Sequence, residues 1–247
     1  EKYFSNNVGS LENIIDEIKL LENPINFIFS SSCTVYGQAD SMPIDESFPL
    51  KEAESPYGQS KRQCEEVLKS LHDSGHSFKN ITLRYFNPIG AHPSALIGEL
   101  PLGIPENLVP YVTQTAIGKR ECLTVFGDDY ETADGTCIRD YIHIMDLAEV
   151  HITCLEKLIS SNDDSFFKIY NVGTGKGTSV FELINLFENV NDIKLNYKIG
   201  ERRKGDVVTA YADTSKIKEE LNWSTKNSLK NALKSAWNWE LNLNKDE

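Results

Sequence analysis

The chain has 247 residues, 40% of them hydrophobic, so it can bury a core without disulfides or structural metal ions. Its 37 acidic residues outnumber 25 basic ones, and the net charge of -12 argues against a nucleic-acid or membrane-surface partner. The five cysteines are widely spaced without metal-ligand spacing, which indicates reduced thiols in a cytoplasmic protein.

The first part of the chain alternates helix and strand patterns. Helical periodicity over residues 10–22 precedes a continuous apolar run, residues 25–29, that is typical of a buried strand. Ser55 and Pro56 begin a second helix by the N-cap-then-proline pattern, and residues 80–86 have the pattern of the next strand. This alternation predicts an α/β fold with a parallel, Rossmann-like sheet, whose ligands bind outside the carboxyl ends of the strands.

The second part of the chain begins with a long irregular stretch. Residues 87–107 lack periodicity, and a loop of that length predicts a functional role. The patterns beyond it predict a mixed α/β lobe with helices at 108–117, 146–158 and 180–189, strands at 122–126, 137–143, 166–171 and 194–199, and two C-terminal helices.

The glycine-rich residues 173–178 suggest a phosphate loop, because they lie between a predicted strand and a predicted helix. However, neither the dinucleotide fingerprint nor the P-loop spacing occurs there or elsewhere. A glycine turn into a helix capped by Thr178 or Ser179 is the favoured interpretation.

Tyr57 and Lys61 form a Y-x-x-x-K motif on the predicted second helix. The spacing places both side chains on one helix face, in line with the apolar positions Cys64, Leu68 and Leu71, so the pair is expected to point into the structure. The pKa of a free phenol is about 10, and a neighbouring ammonium favours the phenolate that a catalytic base needs. The alternative is an exposed pair without function.

Several longer motifs occur in order along the chain. They are SSSCTVYG at 30–37, SPYGQSK at 55–61, RYFNPIGAHP at 84–93, FGDDY at 126–130, DGT at 134–136 and RDYIH at 139–143. The set resembles the extended short-chain dehydrogenase/reductase family of nucleotide-sugar enzymes, and within it the UDP-glucose 4-epimerase branch.

The resemblance implies a fold division and an activity. Residues 1–90 would be the C-terminal part of an NAD-binding Rossmann domain, and residues 91–247 mainly a UDP-sugar-binding lobe, with about 122–171 returning to the Rossmann domain. The implied reaction interconverts UDP-glucose and UDP-galactose in galactose metabolism, through a 4-keto sugar formed and re-reduced with NAD. A cytoplasmic homodimer with a UDP-sugar substrate is also implied.

The resemblance also implies roles for individual residues. Tyr57 would be the catalytic base, Ser32 its partner, and Lys61 the group that holds the nicotinamide ribose and tunes Tyr57. The other implied cofactor contacts are Tyr85 and Pro88, and the implied substrate contacts are Ser32, Thr34, Asn87, Asn107, Leu108, Thr124, Val125, Phe126, Arg139, Arg203, Asp206 and Ala210.

Within these contacts, residues 124–126 would receive the uracil, and Arg139 and Arg203 would clamp the diphosphate. For each arginine alone, a surface salt bridge is the competing interpretation. His92 and His143 lack a ligand-spaced partner, so both are expected to be structural and no metal site is expected.

Two features depart from the family pattern or extend it. The glycine-rich β-α-β unit that begins family members is not present, so we expect this chain to be a fragment or its missing half to come from another chain. Ala210, four residues after the RRKGD motif, occupies a position where members confined to plain hexoses tend to carry a bulky aromatic residue. The alanine predicts room for N-acetylated sugars, unless Tyr211 fills the space.

Two rival functions are weighed against the epimerase. A nucleotide-sugar dehydratase of the same superfamily would carry an Asp-Glu pair where Cys33 and Thr34 stand. A non-catalytic nucleotide-sugar-binding protein on the same fold would be expected to lose the tyrosine, and Tyr57 is present.

Overall fold

The structure, a computed structural model, describes residues 2–21 and 23–245. A short π-helical stretch, Phe4–Gly9, leads into the first α-helix. The α-helices are α1 (Ser10–Ile18), α2 (Pro56–Asp73), α3 (Leu108–Ala116), α4 (Ile144–Ser160), α5 (Val180–Asn191), α6 (Ser215–Leu221) and α7 (Leu229–Leu243). The β-strands are β1 (Ile25–Ser32), β2 (Phe78–Tyr85), β3 (Asn87–Ile89), β4 (Leu123–Phe126), β5 (Ile138–Arg139), β6 (Tyr141–His143), β7 (Phe166–Val172), β8 (Thr178–Ser179), β9 (Tyr197–Gly200) and β10 (Thr209–Ala210).

The described residues form two compact units. Unit 1 contains the residues up to Phe86 together with Glu149–Val172 and Ala212–Ser224. Unit 2 contains Asn87–Ala148, Gly173–Tyr211 and the residues from Thr225 onward.

This division differs from the predicted one over residues 122–148, which were expected to return to the Rossmann domain. They stay in unit 2 because of strand pairing: β4 pairs with β9, β5 pairs with β8 and β10, and β6 pairs with β3. Of the segment expected to return, only Glu149–Val172 joins unit 1. The segment that carries α6 joins unit 1 as well, and it packs on β7.

Unit 1 is built on a parallel sheet of strand order β1-β2-β7. Ile25 of β1 lies opposite Phe78 of β2, and Ser32 lies opposite Tyr85, so the carboxyl ends of the two strands are level. The predicted parallel, Rossmann-like sheet is thereby confirmed. An apolar cluster is formed by Val8, Leu11, Ile15, Cys64, Leu68, Leu71 and Phe78.

Unit 2 is the predicted mixed α/β lobe. Its strands form small sheets, of which β4-β9 and β3-β6 are parallel pairs and β10-β5-β8 contains an antiparallel pair. Helices α3, α5 and α7 supply much of the apolar core, which includes Val109, Val112, Leu183, Ile184, Phe187 and Leu233.

The predicted strand at 137–143 is interrupted at Asp140, which is fully buried. Its carboxylate accepts hydrogen bonds from Thr174 N at 2.8 Å, Thr174 Oγ1 at 2.6 Å and Gly175 N at 2.9 Å. The glycine-rich stretch therefore directs two of its backbone N–H groups to a carboxylate of the chain itself, as a structural turn does. Ser179 then caps α5 through a reciprocal capping box with Glu182.

Within residues 2–21 and 23–245, no trio of His, Cys, Asp or Glu side chains is placed to hold a metal ion. His143 Nδ1 accepts a hydrogen bond from Met145 N at 3.0 Å, which is a structural contact. In the same residues, no helix combines the length and the apolar character that crossing a membrane requires. The five cysteines are free thiols.

Candidate active site

The beginning of α2 positions Tyr57 in the first helical turn. Ser55 is the N-cap, and its Oγ accepts a hydrogen bond from Gly58 N at 3.1 Å, while Pro56 is the first helical residue. The predicted helix start is therefore confirmed. The predicted apolar stripe is confirmed too, because Cys64, Leu68 and Leu71 are buried.

Gly58 allows α2 to begin directly against the segment that follows β1. A Cβ atom at Gly58 would lie 2.8 Å from the carbonyl oxygen of Thr34, so no larger residue fits without movement. Thr34 Oγ1 donates a hydrogen bond to Ser32 Oγ at 3.0 Å, and the Ser32 side chain is close enough to Tyr57 to lower the pKa of its phenol. The structure thus brings Tyr57, Ser32 and Thr34 together.

Lys61 lies one turn after Tyr57 and reaches the end of β1. Its Nζ donates a hydrogen bond to the carbonyl oxygen of Ser30 at 2.9 Å and lies 5.8 Å from the centre of the Tyr57 ring. Burial lowers the pKa of Lys61. An ammonium group has three N–H donors, and the bond to Ser30 uses one of them. This geometry suits a group that binds adjacent ribose hydroxyls.

The pKa of Tyr57 departs from the sequence expectation. Burial raises it, the Cys33 thiol raises it further, and the hydrogen bond from Ser32 lowers it only in part. The direction is opposite to the one expected for a base that acts near neutral pH. The reason is that the phenolate loses more hydration on burial than the hydroxyl of Ser32 restores. An additional positive charge is needed to reverse the direction.

Tyr85, expected to contact the cofactor, has a hydroxyl group that is engaged within unit 1. It lies 2.8 Å from Ser30 Oγ and 2.6 Å from Nε2 of His151. Burial raises the pKa of Tyr85 to about 12, so the phenol stays protonated over the ordinary pH range. The cofactor contacts of Tyr85 and Pro88 remain predictions.

Unit 2 contains a cavity of about 650 Å³, within the range of small-molecule sites. Nine of the expected substrate contacts line it: Asn87, Asn107, Leu108, Thr124, Val125, Phe126, Arg139, Arg203 and Asp206. Pro88, expected at the cofactor, lines it as well. Thr124, Val125 and Phe126 come from β4, and Leu108 begins α3.

The charged residues that line this cavity are Glu106, Arg139, Arg203 and Asp206. Arg139 is largely buried, its Nη2 lies 3.5 Å from Oδ1 of Asp206, and its Nη1 donates to the carbonyl oxygen of Ile138 at 2.9 Å. The guanidinium group has five N–H donors, so these contacts leave donors that can face an anion. Arg203 is exposed. Arg139 is paired with a carboxylate that lines the same cavity, and the diphosphate role of both arginines remains a prediction.

Comparisons with known proteins agree with one another. A family model described as GDP-mannose 4,6 dehydratase matches residues 1–236. A UDP-glucose 4-epimerase of Pasteurella multocida (strain Pm70) is 48% identical over 239 residues, which cover 97% of this chain and 70% of that protein. The UDP-glucose 4-epimerase of Stenotrophomonas maltophila, with bound NAD and formylated UDP-arabinopyranose, matches at a TM-score of 0.93 and 39% identity, over 100% of this chain and 72% of that one. The UDP-glucose 4-epimerase of Bifidobacterium longum, in complex with NAD+ and UDP, matches at a TM-score of 0.90 and 41% identity, over 98% of this chain and 70% of that one.

The chain belongs to the UDP-glucose 4-epimerase family. Its members are isomerases, and the resemblance carried by the sequence motifs is thereby confirmed. The epimerase family lies within the larger family that the dehydratase model describes. The chain spans about 70% of the length of the relatives it matches.

Ala210 is placed differently from the other expected substrate contacts. It is 7% exposed, lies in β10 opposite Arg139 of β5, and is not among the residues that line the cavity. Its role at the sugar therefore remains a prediction.

Some cavity residues were not found from the sequence. They include Pro105, Glu106, Tyr111, Cys137, Tyr141 and Val180. Tyr111 lies one turn after Leu108 on α3, so helical spacing from Leu108 was a usable indication. Cys137 and Val180 had none, because they reach the cavity through the pairing of β5 with β8, which joins positions 40 residues apart.

Proposed function

We propose that the protein interconverts UDP-glucose and UDP-galactose, with NAD as cofactor. The observation that carries the proposal is the group at the start of α2. There the Ser32 side chain lies beside Tyr57, and Lys61 binds the end of β1 one turn away. The solved relatives with bound NAD support the choice of cofactor.

The chain's own residues would manage the proton at the sugar. Tyr57 accepts the proton of the C4 hydroxyl, and Ser32 shares a hydrogen bond with the same hydroxyl group. Bound NAD would supply the reversible two-electron acceptor that oxidation at C4 and its reversal require. Lys61 would hold the nicotinamide ribose through its remaining N–H donors.

Substrate affinity would come from the UDP part of the molecule. Arg139 and Arg203 bind the diphosphate, and residues 124–126 receive the uracil. Inversion at C4 requires the keto sugar to be reduced on its opposite face, so the ring must turn over while UDP stays bound. Binding energy placed on the remote nucleotide allows this, whereas tight contacts to the ring would prevent it.

The direct test uses the complete gene product with NAD and UDP-glucose, with products separated by chromatography. We expect UDP-galactose to form and to approach the same ratio to UDP-glucose from either substrate. A 4-keto-6-deoxy product would establish the dehydratase instead. Binding of UDP without any product would establish a non-catalytic binding protein.

In the cell, we infer a role in galactose metabolism. The free thiols of all five cysteines support a cytoplasmic location, which fractionation of cells tests. A homodimer is the expected assembly, and sedimentation equilibrium measures it.

The substrate range is proposed to include N-acetylated sugars. Ala210 offers only a methyl group, and the neighbouring Tyr211 ring lies against Gly177, where an added Cβ would come within 3.0 Å of Tyr211 Cδ1. This packing against Gly177 supports the interpretation that Tyr211 does not fill the space beside Ala210. A hydrophobic pocket discriminates by about 1–3 kcal/mol even when it is tight, so an enlarged one should scarcely reject UDP-N-acetylglucosamine.

The measurement is the rate on UDP-N-acetylglucosamine relative to UDP-glucose. We expect Ala210→Tyr to lower this ratio by about tenfold or more. Tyr211→Phe is the matched control, because it keeps the ring and should keep the ratio. An inactive wild type on the acetylated sugar, or an unchanged ratio in Ala210→Tyr, would show that this position does not set the size of the pocket.

A further inference from the structure

A buried ion pair in unit 1 joins α2, the helix that carries Tyr57, to β2. The pair has no part in the chemistry described above. Glu65 of α2 is 5% exposed, and Arg84 of β2 is 3% exposed. Arg84 Nε lies 3.0 Å and 3.2 Å from the two carboxylate oxygens of Glu65, and Arg84 Nη2 lies 2.6 Å from Oε2. Glu65 lies eight residues after Tyr57, about 12 Å along the helix axis.

The pair is also bonded to β1 at the end nearest the candidate base. Ser31 Oγ donates a hydrogen bond to Glu65 Oε1 at 2.5 Å, and Ser31 lies directly opposite Arg84 in the parallel register. Ser31 is flanked by Ser30, whose carbonyl oxygen accepts a hydrogen bond from Lys61, and by Ser32, whose side chain lies beside Tyr57. One carboxylate therefore connects α2 to both strands beside the residues that Tyr57 and Lys61 touch.

Stability alone explains this arrangement poorly. Burying two charges costs free energy that their attraction often fails to recover, and apolar side chains of similar volume can serve as well or better. Nη1 of Arg84 also lacks a hydrogen-bond acceptor among the described residues, and the guanidinium lies 4.7 Å from the centre of the Tyr36 ring. The pair instead constrains the helix geometrically. A bidentate contact fixes the rotation and the axial position of α2, which apolar packing at Leu68 does not do.

We propose that Glu65 and Arg84, with Ser31, are positioning residues that fix α2 against the ends of β1 and β2 and thereby set the placement of Tyr57 and Lys61. The inference rests on the proposed function, in which Tyr57 is the base. A displacement of about 1 Å at a reacting group can cost about a hundredfold in rate.

The test replaces both charges at once by Glu65→Met/Arg84→Met, which avoids leaving one charge unpaired. We expect the melting temperature and the UDP affinity to stay near wild type while kcat falls by about tenfold or more with little change in KM. Ser31→Ala, which removes only the bond to β1, is expected to give a smaller fall in kcat. If the double variant does not fold, Ser31→Ala is used to test the proposal.

Titration of Tyr57 gives a readout that does not depend on turnover. The near-ultraviolet difference spectrum between each protein and its Tyr57→Phe counterpart isolates this phenol. Burial raises the pKa of Tyr57, so a displaced phenol in the methionine variant is expected to titrate at lower pH than in wild type. An inactive wild type would refute the proposed function, and this titration would still decide the positioning role.

Tyr170→Phe is the matched control, because it removes a hydrogen bond in the same unit, from Tyr170 of β7 to Glu220 of α6, and leaves the Glu65–Arg84 pair in place. We expect its kcat and its Tyr57 titration to be unchanged. Wild-type kcat and an unchanged Tyr57 titration in the folded methionine variant, or in Ser31→Ala if only that folds, would overturn the proposal.

Discussion

Tyr57→Phe is expected to abolish epimerisation and to leave UDP affinity within a few fold of wild type. Only the hydroxyl group is lost, since the ring keeps its edge-on contact with Tyr3, whose centre is 5.6 Å away. General base catalysis contributes about 10²–10⁴-fold, and here loss of the hydroxyl proton to the base leaves the electron pair on oxygen that forms the C=O bond as hydride leaves C4. Turnover is measured by product formation and UDP affinity by titration calorimetry.

The control for this prediction is Tyr197→Phe, which removes a phenol hydroxyl from an exposed ring in unit 2. Its turnover should equal that of wild type. Retention of more than about a tenth of wild-type turnover in Tyr57→Phe would mean that another group is the base, because a general base contributes far more than that. A large loss of UDP affinity would point to a disturbed fold instead.

The part of the site nearest Tyr57 could be predicted from the sequence because it is local. An N-cap serine, a proline and a 3.6-residue apolar period fix where α2 begins and which face is buried, and these features lie within seventeen residues. The parallel sheet of unit 1 follows in the same way from short strands that alternate with helices.

The positioning residues could not be predicted in this way. Glu65 is adjacent to the apolar stripe of α2, and a glutamate on a helix is mostly exposed, so its burial depends on Arg84 on a separate strand. Likewise, the break in the predicted strand at Asp140 results from backbone groups at 174–175 that the sequence around Asp140 does not reveal. Both features depend on pairings between distant segments.

The direction in which the pKa of Tyr57 shifts could not be predicted from the sequence either. The Y-x-x-x-K spacing correctly places an ammonium near the phenol, but the degree of burial that opposes it depends on packing around Ser32 and Cys33. The motif thus identifies the chemical group, whereas the structure gives the direction in which its surroundings move the pKa.

Arg139→Ala is expected to weaken UDP binding by about 1.5–3 kcal/mol, the usual size of the loss of a charge-assisted hydrogen bond. The substitution also leaves Asp206, its partner at 3.5 Å, with an uncompensated charge in the cavity that is proposed to receive the diphosphate. Both effects act in the same direction. Because they are electrostatic, the loss should be larger at low salt than at high salt, and calorimetry at two ionic strengths measures this.

Arg202→Ala is the matched control, since it changes the net charge of the protein by the same amount. Arg202 Nε is paired with Oδ1 of Asp129 at 2.7 Å, and Arg202 is not among the cavity-lining residues. If the cavity arginine acts by contact, Arg202→Ala leaves UDP affinity unchanged. If the two variants lose affinity equally, the overall electrostatic field of the protein is responsible. Unchanged affinity in Arg139→Ala would show that Arg139 does not bind the diphosphate.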